Sequence, residues 1–436
     1  MGVRRGPTQL RFRSLLDDIR AAAGELADTR QLGKVTYSLP DCYISAFALF
    51  FLQDPSVLEF QRRFQDQIQR NNLATVFGVE EIPSDSQLRE VLDTHDYAAV
   101  SDVFRRWFAK LQRSKKLERY QVLGGYYLLS LDGSEYFTSE HVHCDHCLRR
   151  EQSNGHRKYY HQILQPALLA PGCKEIIPFA PEFIRAQDGA DKQDCEVNAG
   201  IRAVTRLRGD HRQLSAVMVC DALYATERFI THLDTHHFSY LLGVKKQSHK
   251  TLFEDIEGLR RGGLLESLES TTETGYHCLY EWTHDVRLFA THGAPTVNFI
   301  EFHMFDRSGK RTRHFSWVTD LPIGRHSVEQ LVRAARARWK IENENFNTLK
   351  NHGYHLEHNF GHGASYLSEV FFVLNLLGFF MHQIFALVDE LYQQARAGFS
   401  ARREFWNAIR AAVRLMLFSS WDHVLTRIHG PPLPAS

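Results

Sequence analysis

The sequence predicts an α/β protein with an all-helical N-terminal region and a strand-rich segment set into its second half. Three observations carry this. Apolar residues recur at three-and-four spacing from Leu15 to about Leu117. At Tyr120 the texture changes to a β-type apolar run that ends on an acid and a glycine, followed by strands, a helix and another strand. Residues 238–321 again read as strand-rich before helical periodicity returns. Strands, a helix and then a strand imply helices layered on a sheet.

In chain order, YISAFALFFL, VLEFQRRFQ and the stretch from Val100 to Leu111 are helical, and Ser84 and Asp85 in IPSDSQLREVLD are candidate N-caps of a short helix suited to one half of a helix-turn-helix. QVLGGYYLLSLDGSEYF is the first strand, with Asp132 expected at its end. YYHQILQPALLAP and EIIPFAPEFI follow as strands, then a helix over about 192–207 and the buried strand LSAVMVCDALY. FSYLLGVKK, YHCLYEWT, VRLFAT, TVNFIEFHMF and HFSWVTDL read as an inserted antiparallel sheet. Helices are expected over 327–351 and 365–397. The expected boundaries are 1–118, 119–237, 238–322 and 323–436.

The chain has 436 residues, 43% of them hydrophobic, which excludes global disorder and allows about three domains. Its formal charge of +1 excludes a uniformly basic nucleic-acid binder, so any such surface is a local patch. Candidates are Arg4, Arg5, Arg11 and Arg13; Arg202, Arg206, Arg208 and Arg212; and Arg333, Arg336, Arg338 and Lys340. Seven cysteines are too few, and odd in number, for a secreted disulfide framework, so a cytoplasmic location is expected. VFFVLNLLGFFMHQIFALV approaches bilayer-spanning length but contains Asn375, His382 and Gln383, and is expected to be a buried helix with no membrane role.

Two aspartates stand directly after very apolar runs: Asp132 after YYLLSL and Asp221 after SAVMVC. Buried carboxylates are costly unless paired or bound to a cation. Glu342 lies on a predicted helix where, at 100° per residue, Arg338 falls about 40° to one side and Lys350 about 80° away, whereas Glu344 points about 200° off. Carboxylates of this kind suit hard divalent cations such as Mg²⁺, and two such ions suit phosphodiester chemistry. Arg338 and Lys350 beside them suit phosphate.

LDG at Asp132, CDALYA at Asp221, a strand-rich insertion and RWKIENENFNTLK at Glu342 together resemble the DDE transposases of bacterial insertion sequences, in the insertion-sequence-four-like group. The resemblance spans about 120–362, with the acids 89 and 121 positions apart. It implies an RNase H-like catalytic core over 119–237 and 323–436, a β-rich insertion at 238–322 and a helical DNA-binding domain at 1–118. Asp132, Asp221 and Glu342 are implied to be catalytic and to hold two Mg²⁺ (or Mn²⁺) ions. The implied partners are double-stranded DNA, as element ends and target, and a second copy of the chain. The implied location is the bacterial cytoplasm, at the nucleoid. The implied reaction is strand cleavage and strand transfer, with a non-cutting DNA-binding derivative or a nuclease without transfer as alternatives. The group's helix signature is Tyr-x-x-Arg-x-x-x-Glu-x-x-x-x-x-x-Lys. Arg338 and Glu342 match it; Ala335 stands at the tyrosine position and Leu349 at the lysine position, with Lys350 one step later.

Cys144 and Cys147 are candidate zinc ligands, forming half of a tetrahedral site; His141 or His143 with His156, or Cys173, are candidates to complete it. His352, His355, His358 and His362 follow the Glu342 helix either as a polar connection or as contacts to DNA. Trp282 and Trp317 in the insertion are candidates for core packing or for stacking on an unpaired base.

Overall fold

A computed structural model describes residues 6–31, 35–64, 72–81, 83–153, 155–188, 193–290 and 295–428. Arg4, Arg5, Ile82 and Lys192 lie outside them. The N-terminal helices are α1 (Phe12–Gly24), α2 (Leu39–Phe51), α3 (Val57–Phe64), α4 (Asp85–Leu92) and α5 (Ala98–Arg113). Ser84 caps α4 by accepting the Gln87 N–H at 3.3 Å.

The sheet then begins with β1 (Tyr127–Ser139), β2 (Leu148–Glu151), β3 (Arg157–Leu169), β4 (Ile177–Pro178) and β5 (Glu182–Ile184). Next come α6 (Glu196–Asp210), β6 (Ala216–Cys220), α7 (Glu227–Thr235) and β7 (Ser239–Gly243). The insertion follows: α8 (Lys250–Arg261), β8 (Glu266–Thr271), β9 (His277–Arg287), β10 (Thr296–Phe305) and β11 (Arg311–Thr319). Among the described residues these strands form one 11-stranded sheet, ordered β2-β3-β1-β6-β7-β11-β10-β9-β8, with β4 and β5 also on β3. β1, β6 and β7 are parallel neighbours. β3 and β11 flank them antiparallel. The inserted strands therefore extend the central sheet through β7. Within the strand-rich stretch 238–321 the structure adds α8, whose buried Leu252, Phe253 and Ile256 repeat at helical spacing.

β1 does not end at Asp132. It continues to Ser139 because β3 pairs with it along its whole length, with Asp132 opposite Gln165.

The chain closes with α9 (Val328–Arg336), a π-helical turn (Ile341–Phe346), α10 (Asn347–Asn351), α11 (Leu367–Val388), α12 (Glu390–Ala397), α13 (Arg402–Leu415) and α14 (Trp421–Ile428). The continuous helix expected over 327–351 is thus broken at 337–338 and widened at 341–346. α11 is long and apolar enough to span a bilayer, and 89% of its most apolar window is buried inside the protein. Its neighbours include α2, α4, α5, α12 and β4. Phe12, Phe51, Phe385 and Trp421 interleave edge-on and stacked, so N- and C-terminal helices share one core.

Candidate active site

The first two acids are set level by the sheet. In the β1–β6 ladder Tyr127 faces Ala216 and Leu129 faces Met218, an offset of 89 positions. That is also the separation of Asp132 and Asp221. The Ser130 hydroxyl donates to the Val219 carbonyl at 2.9 Å, carrying the same register to within two residues of the acids. The backbone of Asp221 starts a tight turn in which its carboxylate accepts the Leu223 N–H at 2.9 Å. β7 passes alongside at Gly243, whose Cβ position would lie 3.6 Å from the Asp221 carbonyl carbon.

Glu342 arrives from the other end of the chain. The π turn that carries it packs against β1, and Arg338 donates to the Glu342 carboxylate at 2.6 Å. Arg338 is mostly buried, with 16% of its side chain exposed, and it also faces Asp132. A fourth acid was missed in the sequence. Glu196, at the first turn of α6, accepts the Gly133 N–H, and any side chain at residue 133 would collide with its carboxylate. The glycine after Asp132 and the acid opening a predicted helix were the available signals.

Three carboxylates and one guanidinium therefore act on Asp132. Burial, then Glu342, Glu196 and Asp221 acting against the opposing pull of Arg338, push the Asp132 carboxyl up to about 7. Burial and Asp221 also raise Glu196, against the Gly133 hydrogen bond. Such a cluster lacks positive charge, and an all-oxygen donor set fits a hard divalent cation.

Lys350 is held elsewhere, paired with Glu357 at 2.8 Å. The predicted 80° offset from Glu342 is nonetheless corrected, because a π turn takes in one extra residue. Residue 350 then occupies the angular place that residue 349 has in a regular α-helix, about 20° from Glu342. Leu349, at the lysine position of the signature, is fully buried.

A cavity of about 780 Å³ opens beside Asp221 and Arg338 and runs over the inserted strands, lined by Lys245, Lys246, Arg336 and Trp317 among others. Trp339 also lines it and is 53% exposed; its place beside Arg338 was the unused signal. Trp282 is fully buried and is a core residue. Arg202, Arg206 and Arg208 do not form a free basic face. Arg202 and Arg206 pair with Glu182, and Arg208 donates to the carbonyls of His236 and His237.

Cys144 and Cys147 meet His161 of β3 and His362 of the segment after α10. The completing ligands expected from sequence are displaced from this group: His143 stacks on Tyr159, Cys173 donates to the Arg119 carbonyl at 3.8 Å, and His141 and His156 are exposed.

The mixed α/β fold thus gathers an acidic cluster beside a cleft that carries lysines and arginines. Residues 180–368 match the family model described as "Transposase DDE domain", a span that includes Asp221 and Glu342 and begins after Asp132. The chain is also similar to a solved piggyBac transposase synaptic complex with hairpin DNA, at 11% identity and a TM-score of 0.40 over 99% of this chain and 85% of that one. No curated protein matches the chain.

Proposed function

We propose that the protein is a DDE transposase that cleaves DNA at the ends of an insertion sequence and transfers the cut strands to a target. The observation that carries this reading is the meeting of Asp132, Asp221 and Glu342, from two level parallel strands and a π turn, in a cluster with excess negative charge. The family match over 180–368 supports it. So does the antiparallel run β2-β3-β1 beside the parallel trio β1, β6 and β7, which suits an RNase H-like core.

Asp132, Asp221 and Glu342 would hold two Mg²⁺ or Mn²⁺ ions, with Glu196 as a fourth oxygen donor at the rim. Bound there, the ions would supply an activated water and stabilisation of the leaving oxygen. The chain's own side chains do the positioning. Arg338 fixes the Glu342 carboxylate and presents positive charge toward the scissile phosphate. Lys245, Lys246 and Arg336 line a cleft suited to a DNA backbone, with the half-exposed Trp339 offering an aromatic face to bases; Trp317 is buried against Phe315. Lys350 would contact a flanking phosphate only on leaving its pair with Glu357. Helices of residues 1–118 would bind element ends, two copies would pair those ends, and the setting would be the bacterial cytoplasm.

The test is incubation of DNA bearing uncut element ends with a target plasmid in Mg²⁺. Joined end–target products are expected. Cut ends without joining would reduce the protein to a nuclease, and binding without either product would leave a DNA-binding derivative.

A further inference from the structure

Outside the acidic site, two side-chain groups bring three or more metal-type donors together among the described residues. In one, Glu301 lies near His303 and His314, but its carboxylate is already paired with the Arg260 guanidinium. A bound cation would have to displace that arginine. The other group has no cationic partner of this kind and comes from three separate parts of the chain.

Cys144 and Cys147 lie on a tight turn, the Cys147 N–H donating to the Cys144 carbonyl at 3.2 Å. Their sulfurs are 3.9 Å apart, far beyond the roughly 2.05 Å of a disulfide. His161 Nε2 lies 3.6 Å from the Cys144 sulfur and 3.4 Å from that of Cys147. His362 Nε2 lies 3.4 Å from the Cys147 sulfur and 3.0 Å from His161 Nε2. A tetrahedral zinc with bonds of about 2.3 Å to sulfur and 2.05 Å to nitrogen requires edges of about 3.8 Å between sulfurs, 3.6 Å between sulfur and nitrogen, and 3.3 Å between nitrogens. The observed distances follow that order and fall within a few tenths of an ångström of it.

The surroundings favour a closed structural site. Cys147, His161 and His362 are 1%, 3% and 6% exposed. Tyr136 stacks on His161, and Phe137 packs against both imidazoles. His362 Nδ1 lies 2.9 Å from the Gly363 carbonyl, which can only accept, so Nδ1 carries the proton and a neutral ring turns the Nε2 lone pair toward the cluster. Two sulfurs and two imidazoles in a tetrahedron select Zn²⁺ over Mg²⁺ or Mn²⁺, and four protein donors leave no position for a reacting water.

We propose that Cys144, Cys147, His161 and His362 form a structural zinc site that fastens the β1–β2 connection and β3 to the segment following the Glu342 helix. The site stands independently of the transposase reading. It lies at the far end of β1 from Asp132, and His362 closes the connection between α10 and α11. Zinc there would hold the helix carrying Glu342 against the strand carrying Asp132.

The test uses the full chain purified under reducing conditions without chelator. Elemental analysis is expected to find about one zinc per chain. Replacement by Co²⁺ is expected to give thiolate-to-cobalt charge-transfer bands and the d–d pattern of a tetrahedral site. Cys144→Ser and Cys147→Ser should each weaken retention at least about tenfold, and Cys173→Ser should leave it unchanged. Folded wild-type protein that takes up Co²⁺ without thiolate bands would overturn the proposal, as would zinc retained undiminished in the Cys144→Ser/Cys147→Ser variant. Should a variant fail to fold, the cobalt spectrum of the unaltered chain decides the matter.

Discussion

Asp132 carries the strongest electrostatic conflict in the candidate active site, since burial and three neighbouring carboxylates oppose its charge and only Arg338 favours it. A carboxylate held in this way lowers the stability of the metal-free fold while it is charged. Asp132→Asn is therefore expected to raise metal-free stability at pH 8 by about 1–2 kcal/mol. Mg²⁺ should stabilise wild type more than the variant. Denaturant titrations with and without Mg²⁺ measure both effects; equal stability of the two proteins under both conditions would contradict the charge-cluster account. At this scale Asp132, Asp221 and Glu342 were legible in sequence because each follows or interrupts an apolar pattern. Glu196 was not, because an acid at a helix start ordinarily reads as a solvated first-turn residue. His362 was not assigned to the cysteine pair because nothing local links it to residues 215 positions away.

At the scale of elements, the segment between α10 and α11 is fastened at its downstream end by Asp93. The Asp93 carboxylate accepts the N–H groups of Ala364, Ser365, Tyr366 and Leu367 at 2.7–3.0 Å. Burial opposes the charge, yet these four donors hold the carboxyl below its ordinary value. Its contribution is therefore fully present above pH 3.8 and is lost as pH falls through the lowered folded-state value. Asp93→Ala is expected to cost about 2–3 kcal/mol at pH 7 and to lower the melting temperature; an unchanged melting temperature would contradict the assignment. The helix bearing Glu342 shows where sequence periodicity stops helping. IENENFNTLK reads as ordinary α-helix, and neither the break at 337–338 nor the π turn at 341–346 has a proline or glycine to announce it. The one-residue displacement of Lys350 from the signature was the trace left in sequence, since a π turn accommodates one additional residue.

For the whole molecule, the expected division at residue 118 meets a shared core. Phe51 at the end of α2 is fully buried and touches Phe385, Trp406 and Trp421, and α2 packs along α11. A chain comprising residues 1–118 alone is expected to lack a cooperative thermal transition, because the apolar face of α2 loses its cover. Calorimetry of that fragment tests this, and a sharp two-state melt would contradict it. Phe51→Ala in the full chain is expected to cost about 3–5 kcal/mol. The strands were legible because β-branched and aromatic runs alternate with turn residues, as in TVNFIEFHMF before DRSGK. Their continuation of the central sheet was not, because strand order depends on pairings such as Thr319 of β11 with Leu241 of β7, far apart in the chain.

The central claim, that Asp132, Asp221 and Glu342 together cut DNA with divalent metal, is tested most directly by Mg²⁺-dependent cleavage of DNA bearing the element's ends. Wild type is compared with Asp132→Ala, Asp221→Ala and Glu342→Ala, with end binding measured in parallel. The account predicts that each variant binds within a few-fold of wild type while cleavage falls by at least about 10³-fold, as expected when a charge-stabilising group of the reaction is removed. Variants that cut as well as wild type, or wild type that binds the ends and never cuts in Mg²⁺ or Mn²⁺, would contradict it.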